Sequence, residues 1–206
     1  MIDAKVKVLL VDPSLFTAPY DAALTQGLVE AGVEPVWAVR PVRPGDREEL
    51  PQRYVEPFFY RWVERAGWLP KSLRSAAKGG AHAWGLLRLI GRSLQLRPDV
   101  IHFQWIVVPP LDSLAIWFLR QIAPVVLTVH DTVPFNGQRM SRWQSLGFDL
   151  PIKLSDRVIV HTKAGREALV GRGVDGRKLS VIPHGPLALP VAPSRPARTE
   201  AENRYT

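Results

Sequence analysis

Short apolar runs alternate with segments of helical periodicity along most of this 206-residue chain. Strands that alternate with helices are typical of parallel sheets, because a crossover must connect one parallel strand to the next. The sequence therefore predicts an α/β fold, a Rossmann-like doubly wound parallel sheet flanked by helices. Predicted strands cover residues 5–11, 34–39, 99–104, 125–129, 157–161 and 179–182, and predicted helices cover 20–31, 71–96, 110–122, 141–154 and 163–171.

Three segments depart from this alternation. Prolines and charges dominate 40–57, which predicts a long irregular excursion before an aromatic segment that begins at Phe58. The long helix 71–96 contains Gly79-Gly80, so a break there is an open alternative to a continuous helix. Prolines also punctuate 187–206, which we interpret as a linker or tail after a folded domain of residues 1–186.

Four of the five histidines end or closely follow predicted strands, namely His102, His130, His161 and His184. In a parallel sheet these positions share the carboxyl edge, where open α/β sheets bind their ligands. The sequence therefore predicts one site at that edge.

Composition limits the kinds of partner and chemistry. A formal net charge of +8 indicates a polyanionic partner, which can be nucleic acid, an anionic membrane face or a phosphorylated small molecule. Without cysteine there is no thiolate metal site, so zinc would need histidine and carboxylate ligands alone. There is also no Asp-x-Asp pair, Walker loop or Gly-x-Ser-x-Gly elbow, which disfavours a metal-dependent site and a hydrolase nucleophile.

Three segments occur in an order that resembles a known family. They are Val-Leu-Thr-Val-His130-Asp131, the stretch 154–162, which ends in Val-His161-Thr162, and Leu-Ser-Val-Ile-Pro-His184-Gly185. With the strands that precede them, they resemble the N-terminal domain of GT-B glycosyltransferases, specifically retaining family 4. In that family a second Rossmann-like domain follows and holds most of the sugar nucleotide. The resemblance therefore implies the acceptor-side half of an enzyme, which we expect to be inactive alone.

The resemblance also implies roles for residues at the strand ends. His130 is similar to a family histidine that faces the transferred sugar and stabilises charge developing at the anomeric carbon. Asp131 would orient that imidazole or bond the acceptor. Expected near the donor side of the cleft are His161, Thr162, His184 and Gly185, although Thr162 also suits a helix N-cap.

The turn after the first strand lacks the glycines that relatives often have, so side chains must replace backbone there. We expect acceptor hydroxyls to be bonded by Asp12, Thr17, Tyr20 and Asp21, and to meet a pocket formed by His102 and Trp105. Two structural alternatives stay open. Asp21 also suits a first-turn acid that complements the helix dipole, and His102 with its aromatic neighbours also suits core packing.

The long helix predicts a basic stripe, with the aromatic segment just upstream. We expect a membrane-facing set of Lys71, Arg74, Lys78, Arg88 and Arg92, which would dock on anionic lipid; a merely solvated face is the alternative. No stretch of about 18 uninterrupted apolar residues is present. The expected location is therefore cytoplasmic, peripheral on the inner face of the cell membrane.

Two functions stay open on these grounds. The first is retaining transfer of a sugar from a nucleotide-sugar donor to a glycan or lipid-linked acceptor, with no metal cofactor and no specific nucleic acid. The second is a non-catalytic Rossmann-like binding module for anionic lipid, glycan or nucleic acid.

Overall fold

A computed structural model describes residues 5–63, 71–131 and 147–185 of the chain. The predicted linker 187–206 and the first part of the predicted helix 141–154 lie outside these residues. The strands are β1 Lys7–Asp12, β2 Glu34–Val39, β3 Val55–Pro57, β4 Val100–Phe103, β5 Val125–Val129, β6 Arg157–Val160 and β7 Leu179–Val181. The α-helices are α1 Ala18–Glu30, α2 Lys71–Leu96, α3 Pro109–Leu119, α4 Asp149–Leu154 and α5 Lys163–Gly171.

The seven strands form one parallel sheet in the order β3-β2-β1-β4-β5-β6-β7. Alternate residues of β1 point to opposite faces. Val8 and Leu10 pack with α1, whereas Leu9 and Val11 join the larger core that α2, α3, α4 and α5 cover. Helices on both faces of a parallel sheet confirm the doubly wound α/β prediction.

The region from residue 40 to 57 is less irregular than predicted. It contains a short 3₁₀ helix at Gln52–Tyr54 and then β3, which adds an edge strand with Val55 beside Trp37. Pro57 occupies the last position of this edge strand, where a missing N–H is tolerated. Three residues are too few to show the period of a strand, which is why the sequence pattern does not reveal β3.

The helix α2 is continuous across Gly79-Gly80, so the predicted alternative of a break is wrong. Glycine in a helix interior costs about 1 kcal/mol relative to alanine. Packing in the second half of the helix offsets that cost, because Leu86 and Leu89 are buried in the main core. There Gly85 lies directly against the Phe59 ring, where a Cβ atom would clash.

The fifth histidine belongs to a buried network beneath α2. His82 Nδ1 and the Tyr60 hydroxyl are 2.8 Å apart, and His82 Nε2 lies 2.7 Å from Asp112 Oδ1. The other oxygen of Asp112 accepts the N–H groups of Val107 and Val108 at 2.9 and 2.7 Å. The network therefore ties α2 and α3 to the loop that follows β4.

Candidate functional site

The strand register places His102, His130 and His161 on one face of the sheet, and His184 follows the end of β7. His102 lies beside Leu10, on the face that α1 covers. In the next strand Val126 pairs with His102, so Thr128 and then His130 follow on that face. Ile159 pairs with Thr128, which puts His161 on the same side. The carboxyl ends of β4 to β7 thus bring their histidines to the same edge of the sheet.

Three of these histidines are in contact. His130 Nδ1 lies 3.2 Å from His161 Nε2, and the His161 and His184 ring centroids are 3.8 Å apart. Tyr20, at the start of α1, makes edge-to-face contacts with all three histidine rings, at centroid distances of 4.9–5.6 Å. We call His130, His161 and His184 the histidine cluster. His102 lies outside it and is buried.

His130 is held between an amide and an aromatic ring. Its Nε2 lies 3.3 Å from Gln104 Oε1, and the Trp105 ring stacks on it at 5.0 Å with an angle of 13° between planes. Gln104 is fully buried, and its Nε2 lies 3.2 Å from His102 Nε2. The sequence reasoning missed Gln104, although a glutamine that follows a buried strand at this edge is a usable signal.

Burial lowers the pKa of three of the strand-end histidines, His102, His130 and His184. Burial lowers the pKa of His130 to about 3, and the neighbouring His161, His184 and His102 contribute in that order. Burial alone lowers the pKa of His102 to about 4. Burial, followed by the proximity of His161, also lowers the pKa of His184. A neutral His130 offers hydrogen bonds to a ligand without placing a positive charge beside it.

An open pocket lies next to His130. Together with the solvent at its mouth, it spans about 450 Å³. Its lining includes Trp105, Thr128, His130, Asp131 and Phe148. Asp131 is only partly buried and lies at this pocket beside His130. The pocket combines an aromatic wall with polar groups, as small-molecule sites commonly do.

The turn between β1 and α1 is built from buried side chains. Asp12 is fully buried, and its carboxylate accepts the N–H groups of Ser14 at 3.1 Å and Thr17 at 3.4 Å. The Thr17 hydroxyl donates to Asp21 Oδ1 at 3.4 Å and accepts the Trp105 indole N–H at 2.9 Å. The network fixes the indole that stacks on His130.

This geometry corrects part of the predicted acceptor set. Asp12 and Asp21 are fully buried, so in this structure they contact protein groups and not an acceptor. Thr17 is committed to Asp21 and Trp105, and His102 is buried with its Nε2 2.8 Å from the Thr128 hydroxyl. Tyr20 and Trp105 are the partly exposed members that face the histidine cluster.

The two buried acids share an environment that disfavours two negative charges. Burial raises the pKa of Asp12. Burial and the adjacent Asp12 charge raise the pKa of Asp21 well above its usual value. Asp21 Oδ2 is buried and has no hydrogen-bond partner among the described residues. A proton on this oxygen, shared with Asp12, accounts for both observations.

The end of β6 is shaped by local hydrogen bonds. His161 Nδ1 donates to the Ile182 carbonyl at 2.9 Å, which fixes its ring. Thr162 is the N-cap of α5, where its hydroxyl accepts the Gly165 N–H at 2.9 Å. His184 and Gly185 are exposed beside His161. Thr162 therefore has the structural role that the sequence left open.

The surface of α2 differs from the predicted basic stripe. Arg92 is paired with Glu56 by contacts of 2.6–3.1 Å, and the Arg88 guanidinium lies 5.4 Å from the Phe58 ring centre. Lys78 is exposed, while the side chains of Lys71 and Arg74 lie outside the described residues. The outward face is mixed: Lys78 and Arg88 are exposed beside Leu73, Trp84, Leu87 and Leu94, which are 56–61% exposed. The sequence pattern correctly predicts an amphipathic helix, but in the folded chain Arg92 pairs with Glu56 on the sheet's edge strand.

The neighbouring helix α3 also exposes large apolar side chains, Leu114, Trp117 and Phe118. Both helices cover the same face of the sheet, so their outer sides belong to one layer. Across 5–63, 71–131 and 147–185, no helix has the length and hydropathy of a membrane-spanning segment.

A sequence model described as Glycosyltransferase Family 4 matches residues 22–185, which is most of the chain. Comparison with curated protein sequences finds no significant match.

Several solved structures share the fold. The crystal structure of Anabaena Alr3699/HepE in complex with UDP and glucose aligns with 87% of this chain and 44% of its own, at 16% identity and a TM-score of 0.55. UDP-N-acetylglucosamine 2-epimerase from Rickettsia bellii aligns over 85% and 44%, at 13% identity and 0.56. The apo form of the lipopolysaccharide outer core galactosyltransferase WaaB aligns over 93% and 50%, at 11% identity and 0.53. This chain thus spans half or less of each of these proteins.

Proposed function

The chain belongs to glycosyltransferase family 4, and from this premise we propose that it forms the acceptor-side wall of a cleft in which a sugar passes from a nucleotide donor to an acceptor with retention. One observation carries the proposal. His130 is partly buried, neutral and stacked on Trp105 beside an open pocket at the carboxyl edge of the sheet.

The chemistry suits a neutral imidazole. Glycosyl transfer passes through an oxocarbenium-like species, so a cation close to the sugar ring would raise the barrier and a fixed dipole would lower it. His130 bonds a hydroxyl of the transferred sugar, and Gln104 and Trp105 fix the orientation of its ring. Asp131, beside it, bonds the acceptor or the sugar.

The donor is proposed to be a UDP-sugar. HepE, one of the structural neighbours, has been crystallised in complex with UDP and glucose and in complex with UDP-glucose. A second domain after residue 186 is proposed to hold most of the nucleotide, with His161, His184 and Gly185 near its phosphates. The transfer step is proposed to use no metal, because the chain has no Asp-x-Asp pair to bridge an ion to a diphosphate.

The acceptor is proposed to be a glycan or a lipid-linked sugar that approaches past Tyr20. Two features favour the lipid-linked class. The helix α2 has no acidic residue and carries an exposed apolar face, and α3 adds exposed aromatic rings in the same layer. Such a surface can rest on an anionic membrane, and the net charge of +8 favours that contact.

The test uses the complete protein with its downstream domain. His130→Ala is expected to lower the rate of transfer by about 10²-fold or more, since it removes a bond strengthened in the transition state. The loss should fall on kcat more than on KM, measured with UDP-glucose and membrane lipid extract as first probes. Glu167→Ala, an exposed change on α5 away from the pocket and from α2, is the control and should transfer normally.

Near-normal transfer by His130→Ala would contradict the assignment. A complete protein that binds anionic vesicles but transfers no sugar from any nucleotide donor would support the binding-module alternative.

A further inference from the structure

Each neutral imidazole of the histidine cluster carries one N–H group and one nitrogen lone pair. The Ile182 carbonyl can only accept, so the His161 proton is on Nδ1 and its Nε2 carries a lone pair. With the Gln104 amide oriented to place Nε2 at His102 and Oε1 at His130, a neutral His130 carries its proton on Nε2. In this tautomer the lone pairs of His130 Nδ1 and His161 Nε2 face each other at 3.2 Å.

Two facing lone pairs repel each other unless a cation lies between them. His184 supplies a third imidazole, and one ligand nitrogen from each of the three lies within 4.8 Å of the others. Tetrahedral zinc sites with Zn–N bonds of about 2.0–2.1 Å place their ligand nitrogens about 3.3 Å apart. The His130–His161 spacing already matches this value. His184 is exposed, so rotation of its ring can shorten the remaining distances.

We propose that His130, His161 and His184 form a site for a divalent transition-metal ion of the zinc, nickel or copper class. Three imidazoles and an open fourth position for water are a donor set that these ions prefer and that Mg²⁺ or Ca²⁺ does not. Gln104 and the Ile182 carbonyl hold the outer nitrogens of two ligands, as partners of metal-bound histidines usually do. Thus the ligand nitrogens of two members are aimed at the ion before it binds.

The site has a consequence for transfer. A metal ion would occupy the lone pair of His130 and fill the space before it, so the ion and the sugar of the donor exclude each other. This consequence rests on the proposed function, whereas metal binding does not. Zinc would then inhibit transfer, although the transfer step itself uses no metal.

Metal binding is tested on the 206-residue chain without an affinity tag, because a polyhistidine tag would bind the same ions. Zn²⁺ is titrated by calorimetry, and Co²⁺ replaces it so that the absorption of the bound ion reports its coordination by nitrogen. One ion per chain is expected, with tetrahedral Co²⁺ absorption and no comparable binding of Mg²⁺. Each of His130→Ala, His161→Ala and His184→Ala should weaken binding by about 10-fold or more.

Glu167→Ala is the control, since it removes an exposed carboxylate on α5 that lies outside the cluster and its hydrogen-bond partners. It should bind Zn²⁺ like the original chain. Folding of every variant is checked by circular dichroism. Absence of a stoichiometric site, or equal loss in Glu167→Ala and the cluster variants, would overturn the proposal.

A second arm separates metal binding from inhibition. In the complete protein, Zn²⁺ should slow transfer, and more UDP-sugar should relieve the effect. Stoichiometric Zn²⁺ binding without any effect on active transfer would overturn the exclusion and leave the proposed function intact. A complete protein without transfer would refute the proposed function, while the titration would still decide the metal site.

Discussion

The buried carboxyl group of Asp21 makes a testable contribution to stability. Its folded-state pKa lies well above 3.8, so above that pH the folded chain binds more protons than the unfolded chain. Stability linked to this group is therefore greatest at acid pH and is lost as pH rises through the folded pKa. Asp21→Asn keeps the shape and supplies an N–H donor towards Asp12. We expect the variant to be more stable than the original chain at about pH 8 and the gain to shrink towards about pH 5.

Urea unfolding at the two pH values measures the effect. Asp156→Asn is the control, because the pKa of Asp156 is shifted in the opposite direction. Burial would raise this pKa, but hydrogen bonds from Arg120 and the Val125 N–H lower it. That variant should lose stability at neutral pH. An Asp21→Asn variant less stable than the original chain at about pH 8 would show that the buried proton is not on Asp21.

Single residues differ in how far the sequence predicts them. The convergence of His130, His161 and His184 follows from strand ends and the period of two, both of which the pattern contains. The burial of Asp12 and Asp21 does not, because it depends on Trp105 reaching back from a turn 88 residues away to Thr17. His82 was missed for the same reason, since Tyr60 and Asp112 join it only in the tertiary fold.

The helix α2 allows a matched pair of glycine substitutions. Gly85→Ala should destabilise the fold by about 1–3 kcal/mol, because the new methyl group collides with the Phe59 ring inside the core. Gly80→Ala adds the same methyl group where nothing lies within 4 Å. It should stabilise the fold by about 0.5–1 kcal/mol through helix propensity.

Thermal and urea unfolding of the two variants provide the comparison. Equal effects of the same sign at both positions would mean that α2 does not pack on Phe59 as described.

Elements were predicted well where the pattern is long, as in α2 and β5. The strand β3 was missed because it has only three residues. The continuity of α2 across Gly79-Gly80 could not be predicted, because it depends on tertiary contacts.

The molecule as a whole is expected to bind anionic membranes through the outer sides of α2 and α3. Flotation with vesicles of phosphatidylglycerol and phosphatidylcholine measures this. Each Leu-sized side chain that is buried contributes about 1.5–3 kcal/mol, so Leu87→Glu should reduce partitioning by about 10-fold or more. Val170→Glu, which makes the same kind of change on α5, should float like the original chain.

High salt should weaken binding only in part, because Arg92 is committed to Glu56 and apolar contacts carry the rest. If high salt abolished vesicle binding and Leu87→Glu bound vesicles like the original chain, binding would be purely electrostatic, as the predicted basic stripe implies. The sequence indicated an amphipathic helix correctly. It did not show which side faces outward, since that depends on where Glu56 and Phe58 lie.

The buried bonds among Tyr60, His82 and Asp112 join the outer layer of the molecule to the loop after β4. Asp112 holds the Val107 and Val108 N–H groups of that loop, which continues directly from Trp105 and Ile106 at the pocket. A shift of α2 over the sheet must either break these bonds or carry the pocket wall with it. A surface that immobilises α2 would accordingly hold this wall of the pocket at a fixed position.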